Sequence, residues 1–359
     1  MKASVVDLFC GIGGLSFGLR QAGLSVAGGI DLDASCKFAY EENVKATFVA
    51  DDMRDVTRQH VEALFERKAH DYRVLVGCAP CAPFSFYTGR YRKAKKSDPK
   101  WSLLDEFLRL ALETRPDVIS MENVPRVVLS DVFASFVKGL SDDGYHVTYR
   151  KVRAVHFGVP QRRSRLVLFA SRFGEIHLGP PTHPRTVRTV RDAIGHLPAL
   201  VAGVPSAHDR LHVTRGLGPR NLARLQATAE GGSWREWDQA LQLDCHKRPG
   251  GMSFRSVYGR MTWDEPSPVI TTQCLGIGNG RFGHPDQDRA ISIREAALLQ
   301  SFPADFALVS PEEPVNGLRL ARQIGNAVPV SLARAIGRAV KKHLSDVSMT
   351  ASAGRSARE

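Results

Sequence analysis

Short apolar runs alternate with stretches whose apolar side chains recur at helical spacing through the first half of the chain. SVVDLF at 4–9, SVAGGI at 25–30, RVLVG at 73–77, DVISM at 117–121 and RLVLFA at 165–170 read as strands. Their near-continuous apolar character predicts a parallel sheet covered on both faces. Between them Leu15, Leu19 and Ala22, and later Leu103, Phe107, Leu110 and Ala111, recur every three or four positions, as crossover helices packing on such a sheet require. The expected architecture is a doubly wound α/β domain spanning residues 1–180.

After Ser171 both periodicities fade. Between 181 and 260 lysine and arginine outnumber aspartate and glutamate by 12 to 6, and proline, glycine and histidine are frequent. This predicts a second, smaller domain over 181–285 with a basic surface. Helical spacing returns in IREAALLQ at 293–300 and SLARAIGRAVKKHL at 331–344, so 286–345 is expected to supply helices that return to the first domain. The small, polar residues 346–359 are expected to be a disordered tail.

A formal charge of +12 on 359 residues favours a polyanionic partner, and nucleic acid is the commonest. No apolar stretch has the length of a membrane span or the layout of a signal peptide. A cytoplasmic protein with no membrane partner is the expectation. Of the six cysteines only Cys78 and Cys81 are closely spaced, so neither a disulfide framework nor a zinc site is expected.

DLFCGIGG at 7–14 follows the first strand and opens the first helix, the place where an α/β sheet holds a cofactor beyond its carboxyl ends. Ser16 stands where the dinucleotide fingerprint needs a third glycine, which favours a smaller adenosine cofactor over a dinucleotide. Asp31, after the next strand, is placed to accept from ribose hydroxyls. Asp52, after a third strand, is placed to accept from an adenine amino group.

GCAPCAPFS at 77–85 brings Cys81 to the end of the fourth strand between two prolines that stiffen and expose it. A nucleophilic cysteine acts as its thiolate and needs a nearby proton acceptor or a lowered pKa. Glu122 and Asn123 follow the fifth strand and would emerge beside it. Arg163 and Arg165 flank Ser164 at the entrance to the strand RLVLFA, where their planar donors suit a base or a phosphate.

In this order the motifs DLFCGIGG, GCAPCAPFS, MENV at 121–124, QRRSRLVLFAS at 161–171 and QIGNAVPVSLARAIG at 323–337 resemble the prokaryotic DNA (cytosine-5)-methyltransferases over nearly the whole chain. The resemblance implies a Rossmann-like S-adenosylmethionine-dependent catalytic domain and a target-recognition domain ending near RMTWDEPSPVITT at 260–272. It implies S-adenosylmethionine held by Asp7, Phe9, Gly11, Gly13, Asp31, Asp52, Met53 and Leu103, with Asn326 and Val328 from the last motif. It implies that the target cytosine of duplex DNA is flipped out, that Cys81 attacks it, that Glu122 bonds its ring, and that Arg163 and Arg165 complete the catalytic set. No metal is implied, and a monomer is expected. The family commonly has glutamine after the catalytic cysteine, where this chain has Ala82. The segment 87–100 carries six basic residues against one acid and corresponds to a loop that closes over DNA in the family.

Three alternatives remain open on sequence. Transfer RNA is the nearest rival substrate, although the basic region 181–285 favours duplex DNA. A non-catalytic DNA-binding regulator would keep the fold, and an NAD-dependent enzyme is weakened by Ser16. Whether a cognate restriction endonuclease shares the recognised site, or the enzyme stands alone, is not written in the chain.

Overall fold

The computed structural model describes residues 2–66, 69–80, 103–248 and 250–356. Cys81, Ala82 and the basic segment 87–100 lie outside them.

Contacts divide the chain into two compact units. The first holds residues 1–153, 164–181 and 328–359, and the second holds 154–163 and 182–327. Among the described residues the first unit contains β1 (Ala3–Leu8), β2 (Ser25–Asp31), β3 (Thr47–Ala50), β4 (Tyr72–Gly77), β5 (Val118–Asn123), β6 (His146–Arg153) and β7 (Ser164–Ser171). They form one seven-stranded sheet in the order β3-β2-β1-β4-β5-β7-β6. Strands β1 to β5 are parallel, as their apolar runs predict. β7 departs from that expectation, because it pairs antiparallel with β5 and with β6. The chain leaves along β6, makes the excursion 154–163, and returns beside β5, which reverses its direction. β6, with the sequence HVTYRKVR, escapes the apolar criterion because it is a largely exposed edge strand, where charged side chains discourage further pairing.

The helices of this unit are α1 (Gly14–Gln21), α2 (Lys37–Val44), α3 (Arg58–Phe65), α4 (Leu103–Thr114) and α5 (Asp131–Asp142), with a long C-terminal helix at Val330–Ser356. On one face Leu8, Ile30, Leu75, Ile119 and Met121 from the strands pack with Val61, Leu64, Phe107, Leu110, Phe136 and Leu140 from α3, α4 and α5. Each such side chain contributes roughly 1.5–3 kcal/mol by leaving water. Elsewhere α1 and the C-terminal helix approach closely enough that a Cβ on Gly18 would fall 2.4 Å from that of Ala333, and one on Gly337 2.7 Å from that of Ala22. The C-terminal helix runs through Ser356 rather than giving way to a disordered tail at 346. Lys342 pairs with Asp346 one turn on, Ser348 meets Tyr72 hydroxyl to hydroxyl at 3.0 Å, and Thr350 and Ser352 bond back to the carbonyls of Asp346 and Ser348.

The second unit has little regular structure: α6 (Val190–Ile194), α7 (Pro219–Gln226), α8 (Asp244–Lys247), α9 (Ile293–Leu299) and α10 (Gly317–Asn326). The C-terminal helix is therefore α11. Buried arginines organise much of this unit through backbone carbonyls. Arg260 donates to the carbonyls of Leu225, Thr228, His284 and Gln287 and pairs with Asp288. Arg289 and Glu295, both buried, pair at 2.7 Å. Trp234 stacks on His246 at 4.0 Å, with Trp237 and Tyr258 alongside. Residues 286–326 belong to this unit instead of returning to the sheet, because bonds such as Ile293 N–H to the Val213 carbonyl, Arg294 N–H to the Leu211 carbonyl and His212 to Ser292 hold them there.

No helix among the described residues is long and apolar enough to cross a membrane.

Candidate active site and cofactor cradle

The sheet brings the functional side chains of the first unit to one edge. Parallel β1, β2, β4 and β5 end there, and antiparallel β7 begins there, with Asn123 opposite Leu166 and Glu122 opposite Val167. Arg165, next in the ladder, consequently arrives beside Glu122. Its Nε lies 2.8 Å from Glu122 Oε1, and both side chains are about nine-tenths buried or more, at 10% and 2% exposure. The contact is close but not aligned as a hydrogen bond. Glu122 Oε2 accepts from the thiol of Cys78 at 3.0 Å, and Arg165 Nη1 donates to the Ser164 carbonyl at 2.8 Å.

Asn123, the last residue of β5, fastens the neighbouring loop. Its Nδ2 donates to the Ala79 carbonyl at 3.1 Å, and its Oδ1 accepts from the Val124 N–H at 2.8 Å. Ala79 is two residues before Cys81 in the chain, so β5 supplies both the buried carboxylate and the tether of the segment that leads to the thiol. Sequence reasoning named Asn123 without a role.

Arg163 has a different setting. It belongs to the second unit, where Nη1 donates to the Ile270 carbonyl at 3.1 Å and Nη2 to the Gly325 carbonyl at 3.3 Å. Gln161 reinforces the same place by accepting from the Ile270 N–H and donating to Gln300. Buried guanidinium donors that meet carbonyls brace the backbone around them, and the contact of Arg165 with Glu122 lies within the first unit.

The turn between β1 and α1 carries three left-handed residues, Phe9 at φ 60°, Gly11 at 49° and Gly13 at 87°. Phe9 is strained there, at a cost on the order of 1–3 kcal/mol, a burden commonest at functional turns. Its ring lies 6.5 Å from that of Phe107. Among the described residues a Cβ at Gly11 would meet nothing within 4 Å, whereas one at Gly13 would strike Val44 at 2.7 Å. Gly11 therefore borders open space and Gly13 serves packing. The N-terminus of α1 has no side-chain cap, which leaves its first amides to other partners.

Asp31 Oδ2 accepts from the Gly11 N–H at 2.8 Å and Oδ1 from the Asp33 N–H at 2.8 Å. These bonds aim the carboxylate into the turn while leaving lone pairs for hydroxyl donors. Burial pushes its pKa up, against the pull of those two backbone bonds. Leu32, next in the chain, is 69% exposed. Asp52 is gripped by Arg54, whose Nε donates at 2.9 Å. Hydrogen bonds from Arg54 hold its pKa down to about 2. Met53 is buried, and its carbonyl accepts from Arg109 at 3.2 Å. Leu103 opens α4 and packs on the same core. Val328 is buried in the first unit, while Asn326 ends α10 in the second.

Asp7 is fully buried. Ser16 donates to its Oδ2 at 2.7 Å and meets the Tyr40 hydroxyl at 3.0 Å, so the serine in place of a third glycine has a use. Oδ1 has no partner among the described residues, and burial raises the pKa from 3.8 to about 7. A raised carboxyl pKa stabilises the fold below its ordinary value, and this contribution is lost as pH rises to the folded value. We predict that Asp7→Asn removes this loss. Between about pH 5 and about pH 7 the wild type should lose stability relative to the variant, by on the order of 1 kcal/mol per pH unit. Thermal melts of both proteins across that range measure it, and parallel curves would contradict it.

An open glycine, uncapped amides and a backbone-aimed carboxylate at Asp31 together suit a small ligand that carries hydroxyls and a hydrogen-bond acceptor.

The sequence matches the C-5 cytosine-specific DNA methylase family over residues 3–342. It is 48% identical over 348 residues to the Type II methylase M.HgiDII of Herpetosiphon aurantiacus, covering 96% of each chain. It is 32% identical to the Type II methyltransferase M1.HphI of Haemophilus parahaemolyticus, covering 95% of this chain and 87% of that one. The fold is similar to an Escherichia coli prophage protein described as a DNA modification methyltransferase, at TM-score 0.73 and 21% identity over 96% of this chain and all of the other. It is also similar to the Entamoeba histolytica methyltransferase EhMeth, at TM-score 0.66 and 17% identity over 96% of this chain and 99% of the other. The chain belongs to the C-5 cytosine-specific DNA methylase family and is a prokaryotic-type DNA (cytosine-5)-methyltransferase.

Proposed function

We propose that the enzyme methylates carbon 5 of one cytosine within a specific double-stranded DNA sequence, using S-adenosylmethionine and a covalent Cys81 adduct. The observation that carries this reading is the buried Glu122–Arg165 pair at 2.8 Å, on the sheet edge from which the chain runs on toward Cys81. Duplex stacking hides both faces of the ring, so the base has to leave the helix. The Cys81 thiolate forms a bond to carbon 6 of that base. Glu122 shares a proton with ring nitrogen 3, and Arg165 orients the carboxylate and offsets charge developing on the base. Bound S-adenosylmethionine supplies an electrophilic methyl group on positively charged sulfur. Carbon 5 afterwards gives up its proton, and expulsion of Cys81 restores the aromatic ring.

Asp31 is suited to the ribose hydroxyls beside Gly11, with Asp7 and Gly13 supporting the turn, and Phe9, Met53, Leu103 and Val328 are assigned to the cofactor on the family pattern. Asp52 is suited to an amino group once Arg54 releases it, and Asn326 is assigned with them on the family pattern. The second unit reads the recognised sequence. The Type II names of the relatives support a restriction–modification setting, with an endonuclease acting on the same site.

Duplex DNA carrying 5-fluorocytosine at the target tests the chemistry, because fluorine cannot leave as a proton does. With S-adenosylmethionine it should trap the protein covalently, and recovery of only free protein would overturn the adduct. The charge of +12 and the basic segment 87–100 further predict that DNA affinity falls on the order of a thousandfold between about 50 and about 200 mM salt. A flat profile by fluorescence anisotropy would count against phosphate contacts of that number.

A further inference from the structure

The geometry points to Cys78 as a positioning residue for Glu122: its thiol hydrogen bond fixes the carboxylate in the orientation that meets the target base. This rests on the reading of Glu122 given above. Gly77 pairs with Met121 across β4 and β5, so Cys78 stands next to Glu122, one step beyond the last rung. Its backbone is stitched on both sides, by its own N–H to the Leu8 carbonyl at 3.4 Å and by Asn123 to the Ala79 carbonyl at 3.1 Å. From that fixed point Sγ reaches Glu122 Oε2 at 3.0 Å. Arg165 approaches Oε1 closely without hydrogen-bond alignment. The thiol is therefore the one aligned side-chain donor to this carboxylate among the described residues, and it sets the rotation of the carboxylate plane.

The chemistry of sulfur suits the task. An S–H group is a weak donor. It can hold one carboxylate oxygen in the resting site and yield when ring nitrogen 3 competes for the shared proton. A strong donor would resist that exchange, and no donor would leave the carboxylate free to turn about its last torsion, which is broad in glutamate.

The test uses the full-length enzyme with DNA and S-adenosylmethionine, comparing Cys78→Ala and Cys78→Ser with the wild type. Alanine should lower kcat about tenfold while both KM values stay within about twofold, the pattern of an interaction that matters in the transition state. Serine should restore part of the lost rate and not all of it, because its hydroxyl orients the carboxylate but yields less readily than a thiol. In a Glu122→Gln background, Cys78→Ala should cost nothing further, since residues acting as a unit are non-additive. An unchanged kcat in the alanine variant would overturn the proposal. So would serine performing no better than alanine, or the same fractional loss persisting in the Glu122→Gln background. A full rate in Glu122→Gln alone would instead overturn the role given to the glutamate, so the two failures are distinguishable.

Discussion

Cys81→Ala should lower methyl transfer by at least about 10⁴-fold while leaving DNA affinity within about threefold of wild type. Alanine has no atom that can bond carbon 6, so carbon 5 stays too electron-poor to accept a methyl group. Cys78 cannot take over, because its thiol is committed to Glu122 at 3.0 Å. Binding should survive, since it rests on phosphate contacts and on the second unit rather than on the thiol. Single-turnover transfer of labelled methyl groups and anisotropy with the same duplex separate the two effects. Residual turnover within about tenfold of wild type would remove Cys81 from its role.

Glu122→Gln carries the second largest expectation, a fall in kcat of about 10²–10³-fold together with a stability loss of about 3–5 kcal/mol. The amide cannot exchange a proton with ring nitrogen 3, which accounts for the rate. The stability loss has a separate cause. Arg165 is 8% exposed, and without the carboxylate its charge is buried and uncompensated. The double variant Glu122→Gln with Arg165→Met should therefore recover most of the stability and none of the activity. Denaturant melts and single-turnover rates on the three proteins check this, and parallel recovery of rate and stability would show that the pair acts only as a brace.

The parts of the fold legible in the sequence were those in which burial leaves a simple pattern. β1, β4 and β5 are shielded on both faces, so their apolar runs announce them. The direction of β7 was not legible, because an apolar run looks alike whether its neighbour is parallel or antiparallel. β6 was hidden by the polar residues that protect an edge. The second unit offered little periodicity to read, since many of its ties run from Arg260 and other arginines to backbone carbonyls, and such bonds have no sequence period.

The site followed the same logic. Glu122 and Arg165 were found through motif order, and the antiparallel return of β7 supplies the physical reason that they meet. Arg163, two residues from Arg165, lies across the boundary between the units, which falls between 163 and 164. Cys78 was weighed only as half of a CxxC spacing, which directs attention to metals and disulfides. Its partner lies across the sheet, 44 positions away, and no local pattern reveals such a bond. The serine at 16 counted against a dinucleotide, and the structure adds its bond to the buried Asp7.

The central claim is tested most directly by incubating the purified enzyme and S-adenosylmethionine with unmethylated plasmid DNA and mapping modified bases at single-nucleotide resolution. The account predicts 5-methylcytosine at one cytosine of a single short recurring sequence, with other cytosines unmodified. Modification of a base other than cytosine, or no modification of DNA that the protein demonstrably binds, would contradict it.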